Sequence, residues 1–169
     1  MDANALRALQ APLKERYKQD PNAALVTLKA QGAIDDARVA CKVETGRALA
    51  VAGLHPATGG TGAEICSGDM LLEALVACAG VTLKAVATAL EIPLRAGTVR
   101  AERDLDFRGT LGVDRAAPVG FRAIRLAIEL DTDAPQDKLD TLLKLTERYC
   151  VVFQTLAGQP QLSMKVARG

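Results

Sequence analysis

The sequence predicts a single α+β domain with antiparallel strands packed around two main helices, and three observations carry that reading. Two stretches, "GTVRAERDLDFRG" and "FRAIRLAIELD", alternate apolar and polar residues with the period of a half-buried strand. Two others, "SGDMLLEALVACAGVTLKAVATAL" and "DAPQDKLDTLLKLTERYCVVFQTLAG", are long and place apolar residues at helical spacing. The chain has 169 residues, is 49% hydrophobic and contains no repeat, low-complexity tract or interdomain linker. One domain of that size buries a sizeable core without staples. Trp is absent, so the core is expected to be built from Leu, Val, Ala and Ile.

In chain order, residues 2 to about 17 read as a helix with Leu6, Leu9 and Leu13 on one side, limited by Pro21. This N-terminal extension, about residues 1–20, precedes the rest of the domain. "AALVTLKAQG" follows as a strand ending near Gly32. "ARVACKVETGRALAVAG" reads as a hairpin. In it Val39, Cys41 and Val43 alternate with Ala40, Lys42 and Glu44, and Thr45-Gly46 makes the turn. A Gly- and Thr-rich loop leads to Ser67, which is expected to cap the first long helix.

In the next strand Arg100, Glu102, Asp104, Asp106 and Arg108 fall on one face, and Val99, Ala101, Leu105 and Phe107 on the other. Arg103 interrupts the apolar face and has no explanation there unless it lies at an open edge. Ile124, Leu126, Ile128 and Leu130 define the apolar face of its expected neighbour, reached through the Gly109–Gly120 loop. The second helix is expected to begin near Pro135 and run to Gly158, with Leu139, Leu142, Leu143, Thr146, Cys150 and Phe153 on one side. "PQLSMKV" reads as a closing strand.

Net charge is +1 with the signs interspersed, and no basic block or aromatic ladder marks a nucleic-acid partner. The Ser67–Leu90 helix is interrupted by Glu73 and Lys84, which leaves its uncharged run short of the roughly 20 residues that span a bilayer. It is therefore read as a buried helix, with no membrane partner. The N-terminal stretch has no apolar core of a secretion signal, and the cytoplasm is the expected compartment. His55 is the sole histidine and no Cys-x-x-Cys occurs, so neither a metal site nor any other cofactor is expected.

Cys41, Cys66, Cys78 and Cys150 remain. A buried thiol is most simply packing material. Apolar surroundings raise its pKa, and reactivity then needs a nearby cation. Cys78 shares a helical stripe with Leu71, Leu75, Thr82, Ala85 and Ala89, and Cys150 lies on the apolar stripe of the second helix. Packed stripe to stripe, the two helices can bring these thiols together.

"LLEALVACAGVTL", the strand "GFRAIRLAIEL" and "LTERYCVVFQTL", in that order, resemble the OsmC/Ohr family of thiol peroxidases. The resemblance runs from about Arg38 to the C-terminus. It rests on Ala77, Cys78 and Thr82 in an A-C-x-x-x-T pattern, on the second helical cysteine, and on Gly120, Phe121 and Ile124. It implies an intertwined homodimer that reduces organic hydroperoxides in the oxidative stress response. Cys78 would be the peroxidatic thiolate and Cys150 the resolving thiol, with a dithiol reductant, lipoyl-type in some members. The family's activating arginine maps to Arg38, with Arg47 in reserve. The peroxidases carry a glutamate ten residues before the first cysteine. Gly68 stands there, with Asp69 beside it as the substitute. Glu73 lies about 140° around the helix from Cys78 and points elsewhere. The family's frequent Cys-Pro is Cys150-Val151 here. These departures keep open a second reading, a catalytically silent binding or structural protein of the same fold.

The remaining candidates weigh less. "GGTG" at Gly59–Gly62 lacks the Lys-Ser or Lys-Thr of a phosphate loop and reads as a connection. His55 is expected to make a structural hydrogen bond, with a pocket-lining role as the alternative. Cys66 is expected as a semi-buried loop thiol and Cys41 as a core residue.

Overall fold

The computed structural model describes residues 3–34, 41–43, 52–63, 65–158, 160–166 and 168. Arg38, Arg47 and the Thr45-Gly46 turn fall outside these residues, as does the side chain of Cys41.

Helix α1 (Ala3–Gln19) ends at Asp20, whose carboxylate accepts from the Asn22 N–H and opens a 3₁₀ turn at Pro21–Ala24. Strands β1 (Leu25–Ile34) and β2 (Cys41–Val43) are antiparallel neighbours, with Gly32 opposite Val43. The short strands β3 (Ala52–Gly53) and β4 (Ile65–Cys66) form a separate pair, which is parallel. Helix α2 (Ser67–Ala89) follows, then β5 (Ala96–Asp106), the one-turn helix α3 (Phe107–Thr110) and β6 (Phe121–Asp131). Helices α4 (Gln136–Tyr149) and α5 (Val151–Gly158) complete the elements. The main sheet is antiparallel with order β2-β1-β5-β6.

The alternation sorts as expected in β6 and from Val99 to Leu105 in β5, but Asp106 is buried and paired with Arg108, and Phe107 and Arg108 leave the strand for α3. Val99 and Ala101 are fully buried, and with Leu72, Leu75, Val76 and Ala79 of α2 they form the central core. Each such branched side chain contributes about 1.5–3 kcal/mol on burial. On the outer face Arg125 bridges Glu102 and Asp104, Arg100 pairs with Glu129, and Arg95 spans Asp131 and Asp133. Leu83, Ala87, Ile92 and Leu142 close a second cluster where α2 meets α4. The N-terminal helix docks through Tyr17, which is buried against Leu105, Phe107 and Leu111 and donates its Oη–H to the Ala57 carbonyl at 2.7 Å.

Four further expectations are corrected. Ser67 is the first helical residue of α2, and the N-cap is Cys66, which makes no side-chain capping bond. The second long helix is two helices, because Cys150 leaves helical geometry at φ −71°, ψ 107°. The Cys150 N–H still bonds the Thr146 carbonyl and closes α4, and the Gln154 N–H bonds the Cys150 carbonyl and opens α5. Residues 160–166 form no strand: Leu162, Met164 and Val166 are more than 90% exposed and pair with no described edge. A strand needs a neighbour for its backbone groups, whatever its alternation. Finally, β5 lies between β1 and β6, so Arg103 has no open edge to reach.

Candidate active site

Cys78 occupies the middle of α2, half-buried, and Cys150 sits at the α4–α5 break, 1% exposed. Because the break interrupts the i→i−4 ladder, the first N–H groups of α5 have no helical acceptor. Cys78 is approached by the N–H groups of Val152 and Val151, the side chain of Cys150 and the Thr82 hydroxyl one turn further along α2. Cys150 is approached by the N–H groups of Phe153 and Val152 and by Cys78 itself. A helix N-terminus carries positive potential that favours a thiolate.

The two thiols are driven apart. Burial pushes Cys78 up, but the donors from Val152, Cys150, Val151 and Thr82 outweigh it and hold its pKa below the ordinary value. Burial pushes Cys150 up to about 11, and the hydrogen bond it gives Cys78 and the charge there add to the shift. One member of the pair is thus favoured as thiolate and the other as thiol. That division of roles is the one required of an attacking and a resolving sulfur.

Two apolar cavities lie near Cys150, one of them lined by it and neither lined by Cys78. One of about 160 Å³ is lined by Cys150, Ala79, Leu126, Ile128, Thr146 and Phe153. Another of about 300 Å³ is lined by Leu75, Phe121, Ile124, Leu126, Phe153 and Leu156. Phe153 borders both.

A second cluster forms at the start of α2. Arg103, 1% exposed, lays its guanidinium 4.0 Å from the Phe121 ring centre and reaches Asp69 at 3.3 Å and the Cys66 sulfur at 3.7 Å. Burying an unpaired guanidinium costs several kcal/mol, which the carboxylate and the ring face offset. Its Nε has no hydrogen-bond partner among the described residues. Burial pulls the Arg103 pKa down, against Cys66 and Asp69, which hold it up. Burial raises Asp69, against Arg103 and His55. A Cβ at Gly68 would lie 1.9 Å from Arg103 Nη1, so the guanidinium fills the space that a side chain at 68 would need. His55 stacks on Phe107 at 4.9 Å and accepts the Ala57 N–H at Nδ1, which requires that nitrogen to be unprotonated. Burial lowers its pKa accordingly, more than Asp69 raises it.

Of the residues singled out from sequence, Cys78 and Cys150 meet. Asp69 stands in the first turn of α2 and is paired with Arg103, not with an arginine of the early strands. Arg38 and Arg47 lie outside the described residues. His55 makes the structural hydrogen bond expected of it and also belongs to the Asp69–Arg103 cluster. The role of Arg103 was missed, although its signal was present: a charge on the apolar face of a strand is either an edge residue or a paired one. The α5 N–H donors had no signal, because Tyr149, Cys150 and Val151 all tolerate a helix. Among the described residues no three His, Cys, Asp or Glu side chains are grouped to hold a metal.

A family model for OsmC-like proteins matches residues 60–165, which include Cys66, Cys78, Arg103 and Cys150. The chain belongs to the OsmC-like family. No curated protein matches it. Among solved structures it is similar to an OsmC-like hydroperoxide resistance protein from Jannaschia sp. CCS1, with a TM-score of 0.61 and 18% identity over 86% of this chain and 95% of that one. At that identity the likeness establishes the OsmC-like fold, including segments that precede the family match.

Proposed function

We propose that this OsmC-like chain is a thiol-dependent peroxidase that reduces organic hydroperoxides. The Cys78 thiolate attacks the distal peroxide oxygen. The O–O bond breaks, the alkoxide leaves and takes a proton, and Cys78 becomes a sulfenic acid. Cys150 then condenses with it: an S–S bond forms and water departs. A dithiol of the lipoyl type returns both sulfurs to thiols by exchange. The working unit is a homodimer in the cytoplasm, where free thiols persist. The exposed apolar tail at Leu162, Met164 and Val166 supports a partner surface.

The observation that carries this reading is the meeting of Cys78 and Cys150 at the helix break, with donors that favour charge on the first sulfur. The apolar cavity that Cys150 lines suits an alkyl hydroperoxide better than a small polar one. The test is stopped-flow mixing with cumene hydroperoxide and a dihydrolipoyl donor. Turnover with loss of one thiol pair per peroxide is expected, and the absence of both thiol loss and turnover would defeat it. Gly68, at the family's glutamate position and closed off by Arg103, favours the second reading, a silent protein of this fold. On that reading Cys78→Ser leaves peroxide consumption at background.

A further inference from the structure

We propose that Cys66 is a second oxidisable thiol, held in a Cys66–Arg103–Asp69 cluster and converted to a sulfenic acid by a hydroperoxide independently of the Cys78–Cys150 pair.

Cys66 is half-buried at the N-cap of α2, where its sulfur makes no capping bond. The guanidinium of Arg103 stands 3.7 Å from it. That guanidinium is fixed rather than waving in solvent: it is buried, it lies over Phe121, and Gly68 leaves it the room it occupies. A fixed cation beside a partly accessible sulfur is the setting in which a cysteine is oxidised selectively. Two features point beyond packing. Arg103 is a charge in the interior with only one carboxylate partner, at 3.3 Å, among the described residues. Its Nε is a buried donor without an acceptor there, so the hydrogen-bonding capacity of the guanidinium is not filled. A hydroperoxide oxygen arriving at Cys66 would meet the same guanidinium through Nη2. The Cys66 thiolate attacks the distal oxygen, an S–O bond forms, the O–O bond breaks, and the alkoxide leaves with a proton from solvent. Sulfur is oxidised by two electrons and ROOH becomes ROH. Asp69 opposes this chemistry, because its carboxylate competes for the guanidinium and repels a thiolate.

The test uses the full chain, in the wild type and in a Cys78→Ser/Cys150→Ser variant, so that failure here and failure of the peroxidase reading stay separate. Each protein receives cumene hydroperoxide and then dimedone, which traps sulfenic acids. Cleavage after Glu73, which every variant keeps, separates Cys66 from Cys78 for mass spectrometry. Cys66 is expected to carry the tag in both proteins. Asp69→Asn should raise the tagging rate severalfold, and Arg103→Lys, which keeps a charge but loses the planar fork, should lower it about tenfold. A thiol that is merely exposed would not respond in opposite directions. An untagged Cys66 in both proteins, or tagging unchanged by Asp69→Asn, overturns the proposal. The Asp69→Asn arm stands even if Arg103→Lys fails to fold.

Discussion

Two thiols, Cys78 within helix α2 and Cys66 at its N-cap, are supplied with positive potential in different ways. At Cys78 it comes from peptide groups, the N–H donors released where α4 gives way to α5, and from the Thr82 hydroxyl. At Cys66 it comes from one side chain, the buried guanidinium of Arg103, shared with Asp69. Peptide donors are fixed by the fold and carry no countercharge. A guanidinium can be diverted by any carboxylate that reaches it. The first site also has a second sulfur in contact, and the second has none among the described residues. The difference teaches that, on the proposed chemistry, a sulfenic acid at Cys78 has a resolving sulfur beside it, whereas one at Cys66 has none among the described residues.

The largest expected effect separates the sites outright. Cys78→Ser should cut hydroperoxide turnover by at least about a thousandfold, while Cys66→Ser leaves it within about twofold, measured with cumene hydroperoxide and a dihydrolipoyl donor. Equal losses in the two variants would dissolve the distinction.

Next is Val151→Pro. Proline is well tolerated at the first position of a helix, so α5 should form, but one donor to Cys78 is gone. A charge-assisted hydrogen bond of that kind corresponds to about a tenfold loss in rate near neutral pH, with the pH profile displaced upward. Val151→Ala keeps the N–H and should change neither. The profile has a defined sign. Cys78 alkylation by iodoacetamide should reach half its maximum below the ordinary thiol range, and that of Cys150 near 11. Overlapping profiles would remove the division of roles.

Gly68→Ala sharpens the comparison from the other side. The new methyl displaces the Arg103 guanidinium, which a Cβ there would meet at 1.9 Å. Cys66 oxidation should fall severalfold while Cys78 holds within about twofold. The smallest effect is Thr82→Val, where loss of one neutral hydroxyl should slow Cys78 about threefold.

These sites were unequally legible. The β5–β6 pair could be read because one face is charged and the other apolar, and a period of two is set by the backbone itself. The apolar stripes allowed Cys78 and Cys150 to approach, and it was the family resemblance that paired them. The break between α4 and α5 could not be read: neither Gly nor Pro stands at 149–151, and the packing that bends the chain there acts through distant residues. With it went the donors that set the thiol chemistry. Arg103 was visible as an anomaly but not as a partner, because the sequence does not show that β5 faces the start of α2. The tail at 160–166 alternates like a strand, and alternation carries no information about whether an edge awaits it.

The most direct measurement is disulfide mapping after one equivalent of cumene hydroperoxide is added to the reduced chain under non-reducing conditions. A single cross-link between Cys78 and Cys150 is expected. Peroxide consumed with both sulfurs still reduced, or Cys78 joined to any other cysteine, would contradict the account.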